Sequence, residues 1–180
     1  MIILVVGPSG VGKSSTCISA APLFPDVGFH DLDGLAAKYG EEKGIIQEAN
    51  AGQLFGKLKP EGYLNVGLLL INELAARDPS KHLVLDVGAG FQVAPSAVNL
   101  HLKYPIIAIT ATLGAAYQRI VQHRKDKRSI DHYKRDEFSL QRNAVYDSAL
   151  HKIDSTNAIP EQTRLEFIRI LGSLLVSPLP

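Results

Sequence analysis

The chain has 180 residues, of which 46% are apolar and 21% charged, and a formal net charge of +1; this is typical of a globular protein with one sizeable core. The near-zero charge disfavours nucleic acid as a partner, and no apolar run is long enough to span a membrane. The single cysteine, Cys17, is expected to be a small buried apolar residue, and a first apolar run without a basic flank predicts a cytoplasmic protein.

The first predicted element is a strand at Ile2–Val6, which leads into Gly-Pro-Ser-Gly-Val-Gly-Lys-Ser at 7–14. This octet fits the phosphate-loop pattern G-x-x-x-x-G-K-[ST] at every fixed position, and a predicted helix at 15–21 follows it. In such a loop, backbone N–H groups hold nucleotide phosphates, Lys13 reaches the β- and γ-phosphates, and the Ser14 hydroxyl holds Mg²⁺. The motif predicts binding of ATP or GTP at Gly7, Ser9, Gly10, Val11, Gly12, Lys13, Ser14 and Ser15.

A short second strand, 27–30, is followed by Asp31-Leu32-Asp33. Side chains at positions i and i+2 of an extended segment point the same way, so both carboxylates can face the phosphate loop. Asp31 is then a candidate to position Mg²⁺ or to accept a proton from an attacking hydroxyl, and Asp33 to hold substrate hydroxyls. The alternative for Asp33 is a helix N-cap, before a helix at 35–39 that Gly40 closes.

The third predicted strand, 82–86, ends in Asp86, in the manner of the acidic strand end that orders Mg²⁺ in phosphate-loop enzymes. Val87 follows it where a water-activating ATPase would carry a glutamate. Gly88-Ala89-Gly90 then permits a close backbone approach to a ligand, or is simply a turn that leaves the sheet.

The remaining elements complete an alternating pattern. Strands are predicted at 105–110 and 152–154, and apolar stripes at helical spacing are Leu64, Leu68, Ile71, Ala75 and Leu165, Ile168, Leu171, Leu175. The alternation predicts an α/β fold, the three-layer sandwich of a P-loop NTPase, with about five parallel strands and helices on both faces. We expect one domain over 1–180, with Pro178 and Pro180 in an irregular tail.

The segment 123–137 is dense in charge and has no sustained apolar stripe. It is either a solvated helix face or a mobile lid that brings arginines onto the phosphates after nucleotide binds. Arg128 lies within this segment and Arg142 follows it. The planar fork of an arginine suits phosphate or carboxylate.

Taken in order, these pieces resemble shikimate kinase, within the nucleoside-monophosphate-kinase-like P-loop kinases. The resemblance implies that Asp31 serves Mg²⁺ and catalysis, that Asp33 and the Gly88, Ala89 and Gly90 turn face the substrate, and that Arg128 belongs to the lid. It further implies that Arg142 holds a substrate carboxylate, and that either Arg119 or Arg124 stacks on adenine. ATP and Mg²⁺ are the implied cofactors, acting on a small molecule, with the chain as a monomer or weak dimer.

The acceptor half departs from this family. Leu64 and Gly67 stand where the family's Gly-Phe-Arg-x-x-Glu segment has its arginine and glutamate. Because leucine cannot bind a carboxylate, the resemblance implies a small-molecule kinase with an altered acceptor site, at which Leu64 meets the substrate. The alternatives are a nucleotide-hydrolysing switch, although the chain lacks the Asn-Lys-x-Asp of GTPases, and a nucleoside monophosphate kinase.

Overall fold

A computed structural model describes residues 1–176, so the predicted tail with Pro178 and Pro180 lies outside the described residues. The strands are β1 (Ile2–Val6), β2 (Val27–Asp31), β3 (His82–Asp86), β4 (Ile106–Thr110) and β5 (His151–Asp154). The α-helices are α1 (Lys13–Ala20), α2 (Leu32–Glu42), α3 (Ala51–Arg77), α4 (Leu113–Arg124), α5 (Ile130–Glu137), α6 (Leu140–Asp147) and α7 (Pro160–Val176).

The five strands form one parallel sheet in the order β2-β3-β1-β4-β5, which confirms the predicted fold class. Strand β1 lies at the centre, between β3 and β4. Since chain connections leave this point in opposite directions, a crevice opens at the carboxyl ends of the central strands, where ligands bind in such sheets. Register pairs Asp31 with Asp86, which brings both strand-end carboxylates to this edge.

Each face of the sheet has its own core. Leu4 and Val6 of β1 pack on the face that α2 and α3 cover, whereas Ile3 and Val5 pack on the face with α1, α4 and α7. This alternation follows from the two-residue period of a strand. Cys17 is buried in the second core and burial raises the pKa of its thiol, as expected of a small apolar residue.

Helix α3 is broken near its first third. Lys59 has φ 61° and ψ 172°, and the proline after it, Pro60, has no N–H to continue the hydrogen-bond ladder. The piece after the break carries the predicted stripe, in which Leu64 and Ile71 are buried. The helix therefore changes direction between its two pieces.

The stripe predicted for α7 is partly wrong. Leu171 is buried, but Leu165 is 55% exposed, and the buried side chains include Phe167, Ile170 and Leu174. The sequence around these positions is apolar on more than one side, so spacing alone did not fix which side faces the sheet.

The start of α2 shows that Asp33 is not its N-cap. Asp31 is the N-cap, because its Oδ1 accepts a hydrogen bond from the backbone N–H of Asp33. Asp33 is therefore free of the capping role and lies in the first turn. Gly40 lies inside the helix rather than closing it, because the helix continues to Glu42. A Cβ at Gly40 would come 2.6 Å from Leu54 Cδ1, so the glycine lets α3 pack closely against α2.

Among residues 1–176, no helix combines the length and the apolarity needed to cross a membrane.

Candidate active site

The phosphate loop lies between β1, the central strand of the sheet, and the N-terminus of α1. Gly12 is the N-cap of α1 with φ 97°, and no side chain of the described residues caps this helix. Gly10 has φ 88°, and a Cβ there would come 2.7 Å from Ala116 O on α4. The glycines thus let the loop curl tightly against α4, and the first N–H groups of α1 point to a site suited to an anion.

Lys13 lies buried against this loop. Its Nζ donates hydrogen bonds to Gly7 O at 2.8 Å and Pro8 O at 3.1 Å. Burial lowers the pKa of the Lys13 ammonium, while the charges of Asp86 and Glu137 oppose this effect. The ammonium is therefore held at the loop by carbonyl groups that a phosphate can replace.

Ser14 and Asp86 fit the needs of Mg²⁺. Ser14 Oγ donates a hydrogen bond of 2.5 Å to Asp86 Oδ2, and Asp86 Oδ1 is buried without a hydrogen-bond partner within residues 1–176. Burial raises the pKa of this carboxyl. Mg²⁺ takes oxygen ligands and is held by one or two carboxylates together with substrate phosphates. Residues 1–176 contain no cluster of three or more His, Cys, Asp or Glu side chains suited to a metal.

Asp31, the third predicted metal ligand, is exposed at the edge of the same crevice. It is the register partner of Asp86, but its Oδ1 is engaged with the Asp33 N–H. Asp31 thus faces the crevice as predicted, at its open side.

One cavity of about 430 Å³ extends from the phosphate loop into the space between α2, α3 and the turn after β3. It brings together most of the predicted site residues. Those on its wall are Ser9, Lys13, Ser14, Asp31, Asp33, Asp86, Gly88, Ala89, Gly90, Arg124 and Arg142. Its size is that of a small-molecule site.

Asp33 lies deep on this wall with an unpredicted partner, Tyr63. The Tyr63 hydroxyl donates to Asp33 Oδ1 at 2.8 Å, and burial raises the pKa of the Asp33 carboxyl. The Tyr63 ring is stacked on Phe91 with centroids 4.3 Å apart and meets Phe55 edge to face at 5.6 Å. This aromatic cluster, Phe55, Tyr63 and Phe91, fixes the hydroxyl that orients Asp33.

The turn after β3 approaches Asp33 closely, as its glycines suggested. A Cβ on Gly88 would come 1.6 Å from Asp33 Oδ2, so the backbone fits there only as glycine. Gln92 Nε2 donates to Val87 O at 2.6 Å and holds the turn from behind.

Leu64 does not line this cavity, which corrects the prediction that it meets the substrate. It is 4% exposed and belongs to the core beneath α3. Its neighbour Tyr63 is the residue of this segment that reaches the cavity wall. Gly67, one turn later, lies under Phe91, and a Cβ there would come 2.5 Å from Phe91 Cε1. Leu64 and Gly67, which stand at the positions of the expected arginine and glutamate, thus serve the packing of the core.

A larger cavity, of about 670 Å³, lies on the other side of the loop. Gly10, Val11, Gly12 and Ser15 line it with both candidate adenine arginines. Arg119 is tied to the β5–α7 connection, with Nη1 donating to Ser155 Oγ at 3.0 Å and Nη2 to Ser155 O at 2.5 Å. Arg124 is exposed and lines both cavities, which gives it reach to either end of a nucleotide.

The charged segment packs on the phosphate loop. Arg128, predicted to reach the phosphates from a lid after nucleotide binds, does not line either cavity in this conformation. Its guanidinium is bound by Asp126 at 2.7 Å and Asp136 at 3.2 Å and lies 3.5 Å from Glu137. The carboxylates that flank Arg128 in sequence therefore determine its position.

Arg142 lines the same cavity as Asp33 and the turn after β3. Its side chain is 9% exposed, and Nη1 lies 3.0 Å from Glu137 Oε2. Neither its Nε nor its Nη1 makes a hydrogen bond of good geometry within residues 1–176, so the contact with Glu137 is an ion pair. Since a buried N–H without a partner is costly, this arginine is poised to bind an anion.

Sequence reasoning missed Tyr63, Phe55 and Glu137. Tyr63 adjoins the glycine-led segment that drew attention to Leu64, so that segment was a usable signal. Glu137 was counted only as the end of a charged run. Phe55 gave no signal, because its place depends on the break at Lys59.

No family model and no curated protein sequence matches the chain. Solved structures do. Shikimate kinase from Bacteroides thetaiotaomicron is 17% identical with a TM-score of 0.66, covering 97% of this chain and 98% of that one. The Aquifex aeolicus enzyme is 18% identical, with a TM-score of 0.65 and coverage of 98% and 100%.

Shikimate kinase from Acinetobacter baumannii, in complex with shikimate, is 20% identical with a TM-score of 0.67, covering 99% of this chain and 95% of that one. The similarity extends over nearly the whole of all three structures. The chain therefore has the fold of the shikimate kinases.

Proposed function

We propose that the chain is an ATP-dependent phosphotransferase that moves the γ-phosphoryl group to a hydroxyl of a small anionic metabolite. The observation that carries this proposal is the 430 Å³ cavity, which has Lys13, Ser14 and Asp86 at one end and Asp33 and Arg142 at the other. Groups suited to a nucleotide and to an acceptor thus share one space, as direct transfer requires.

Arg142 favours an anionic acceptor, and Asp33 with Tyr63 favours one with several hydroxyls. Shikimate has both features, and it is the ligand of one structure with this fold. We take it as the first acceptor to test. Because Leu64 stands where the shikimate kinase segment has an arginine, other hydroxy acids are also candidate acceptors.

In the transfer, the acceptor hydroxyl oxygen bonds to the γ-phosphorus while the bond from phosphorus to the β–γ bridging oxygen breaks. The hydroxyl proton passes to a carboxylate, for which Asp31 at the open side of the cavity is the candidate. Asp33 accepts a hydrogen bond from a second acceptor hydroxyl and so orients the first.

Lys13 supplies the positive charge that stabilises the negative phosphoryl oxygens. Its ammonium exchanges the carbonyls of Gly7 and Pro8 for phosphate. Arg124 lines both cavities and is the best-supported arginine for the same task in this conformation. Arg128 contributes only after lid movement releases it from Asp126 and Asp136. Mg²⁺ held at Ser14 and Asp86 would neutralise further phosphate charge.

The test is a thermal-shift screen of hydroxy acids, sugars and nucleoside monophosphates with an ATP analogue and Mg²⁺, followed by turnover assays. A ligand at about 100 times its Kd adds roughly 2.7 kcal/mol of stability. We expect little ATP hydrolysis alone and at least 100-fold more turnover with an acceptor.

Two results would favour the alternatives. Rapid ATP hydrolysis without acceptor would support a nucleotide switch. The residue after Asp86 opposes this alternative, because it is the buried Val87 and not the glutamate of a water-activating ATPase. Transfer to a nucleoside monophosphate alone would assign that class of acceptor.

A further inference from the structure

A single buried carboxylate connects three parts of the site. Glu137, the last residue of α5, is 3% exposed. Its Oε2 accepts from Ser9 N at 3.0 Å and lies 3.0 Å from Arg142 Nη1. Its Oε1 accepts from Ser9 Oγ at 3.0 Å and lies 3.5 Å from Arg128 Nη1. The phosphate loop, the lid arginine and the acceptor-side arginine thus share this one group.

Further contacts fix Glu137 in place. One turn earlier on α5, the Tyr133 hydroxyl donates to Ser9 O at 2.5 Å. The Tyr146 hydroxyl, on α6, donates to the backbone oxygen of Glu137 at 3.3 Å. The end of α5 is therefore fastened to the loop on one side and to α6 on the other.

The two arginines depend on Glu137 unequally. Arg128 has Asp126 and Asp136 as additional partners. For Arg142, Glu137 is the only ion-pair partner among residues 1–176. Arg142 lines the cavity, and neither its Nε nor its Nη1 makes a hydrogen bond within residues 1–176, so the ion pair with Glu137 is the contact that positions its guanidinium.

We propose that Glu137 is a positioning residue that aims Arg142 into the acceptor end of the cavity and couples it to the phosphate loop through Ser9. Glu137 contacts the loop at Ser9 but, in the described part of the chain, is not among the residues that line either cavity, so we assign it no contact with a reactant. The proposal rests on the proposed function where it names the acceptor end. A change at the loop on nucleotide binding then reaches Arg142 through one shared carboxylate.

The first experiment uses the intact nucleotide-free protein and measures the Arg142 Nε–H order parameter by NMR, together with exchange of the Ser9 amide. Glu137→Gln keeps the shape and removes the charge. Asp136→Asn is the matched control, since Asp136 adjoins Glu137 on α5 and pairs with Arg128, but not with Arg142 or Ser9. We expect an order parameter near 0.85 in the wild type and the control, and below about 0.6 in Glu137→Gln. Ser9 exchange should rise at least 10-fold in Glu137→Gln alone.

The second experiment adds the ATP analogue AMP-PNP with Mg²⁺ and follows the Arg142 Nε–H signal. We expect it to shift in the wild type and in Asp136→Asn but not in Glu137→Gln. A signal that ignores bound AMP-PNP in the wild type, or an Arg142 that stays rigid in Glu137→Gln, would overturn the proposal.

Two further outcomes are also decisive. If AMP-PNP does not bind at all, the proposed function fails, while the nucleotide-free comparison still decides whether Glu137 positions Arg142. If Glu137→Gln does not fold, Ser9→Ala takes its place, because it removes one of the contacts that hold the carboxylate. An intermediate order parameter at Arg142 would then support the proposal, and a wild-type value would contradict it.

Discussion

The two ends of the 430 Å³ cavity are built differently. The end proposed for the nucleotide is formed by a contiguous loop, 7–14, which offers main-chain N–H groups and one lysine. The acceptor end draws side chains from α2, α3, the turn after β3 and α6, which together span more than 100 residues of the sequence. An end made of backbone is fixed by a local motif, whereas an end made of side chains is free to change with each element that contributes.

Removing the lysine of the nucleotide end has the largest expected effect. We expect Lys13→Ala to lower kcat about 1000-fold, roughly 4 kcal/mol, because the phosphoryl charge loses its buried cation. A coupled assay measures this, with the exposed Lys38→Ala as control. A kcat within about tenfold of the wild type would show that the loop does not carry the chemistry.

Restoring an arginine at the acceptor end tests whether Leu64 belongs to it. Since Leu64 is in the core, Leu64→Arg buries an unpaired charge, and we expect a loss of about 3 kcal/mol or more, seen as a fall in Tm of roughly 6–12 °C. Leu64→Met should cost less than about 1.5 kcal/mol. A stable Leu64→Arg variant with a higher kcat/KM for shikimate would show that position 64 contacts the acceptor and would contradict its assignment to the core.

The anion partner at the acceptor end is tested by Arg142→Gln. We expect KM for the acceptor to rise about 30-fold, roughly 2 kcal/mol, while KM for ATP stays within about threefold, because the loop contacts are intact. Arg142→Lys should recover part of the loss. Equal effects on both KM values would contradict the division of the cavity into two ends.

The smallest expected effect is the change in thermal stability caused by Asp33→Asn. The pKa of Asp33 is raised above its usual value of 3.8 by burial, so the folded state holds its proton to higher pH than the unfolded state. This contribution is full below the unfolded pKa and is lost as pH rises through the folded pKa. Asp33→Asn should therefore raise Tm at pH 7, by roughly 2–4 °C for each 1 kcal/mol, and lower turnover.

The pH dependence separates this explanation from better packing. The gain in Tm of Asp33→Asn should shrink as pH is lowered toward 4 in a series of thermal melts. A gain that is constant with pH would mean that ionisation of Asp33 is not its cause.

Much of the fold could be predicted from sequence because its signals are local. The apolar runs at 2–6, 82–86 and 105–110, with the shorter segments 27–30 and 152–154, predicted the strands, and the glycine spacing of 7–14 predicted the loop. The roles of Asp31 and Asp33 could not be separated in this way, since either can cap a helix and only the position of Tyr63 on α3 decides between them.

Charge patterns were the weakest guide. Arg128 and Glu137 both lie in a charged run, yet one is held by its own neighbours and the other is buried between two helices and the loop. Sequence gives the count of charges, whereas burial determines which of them pair. Leu64 shows the same limit, because a helical position one residue from Tyr63 faces the core rather than the cavity.

Gly67 has a consequence for how this site can be rebuilt. Any side chain at 67 would push Phe91, which stacks on Tyr63, which in turn holds Asp33. A larger side chain at position 67 would therefore displace the Asp33 carboxylate in the cavity. A glutamate can return to this position only after Phe91 has been made smaller, so the order in which substitutions are introduced decides whether the intermediates still bind an acceptor.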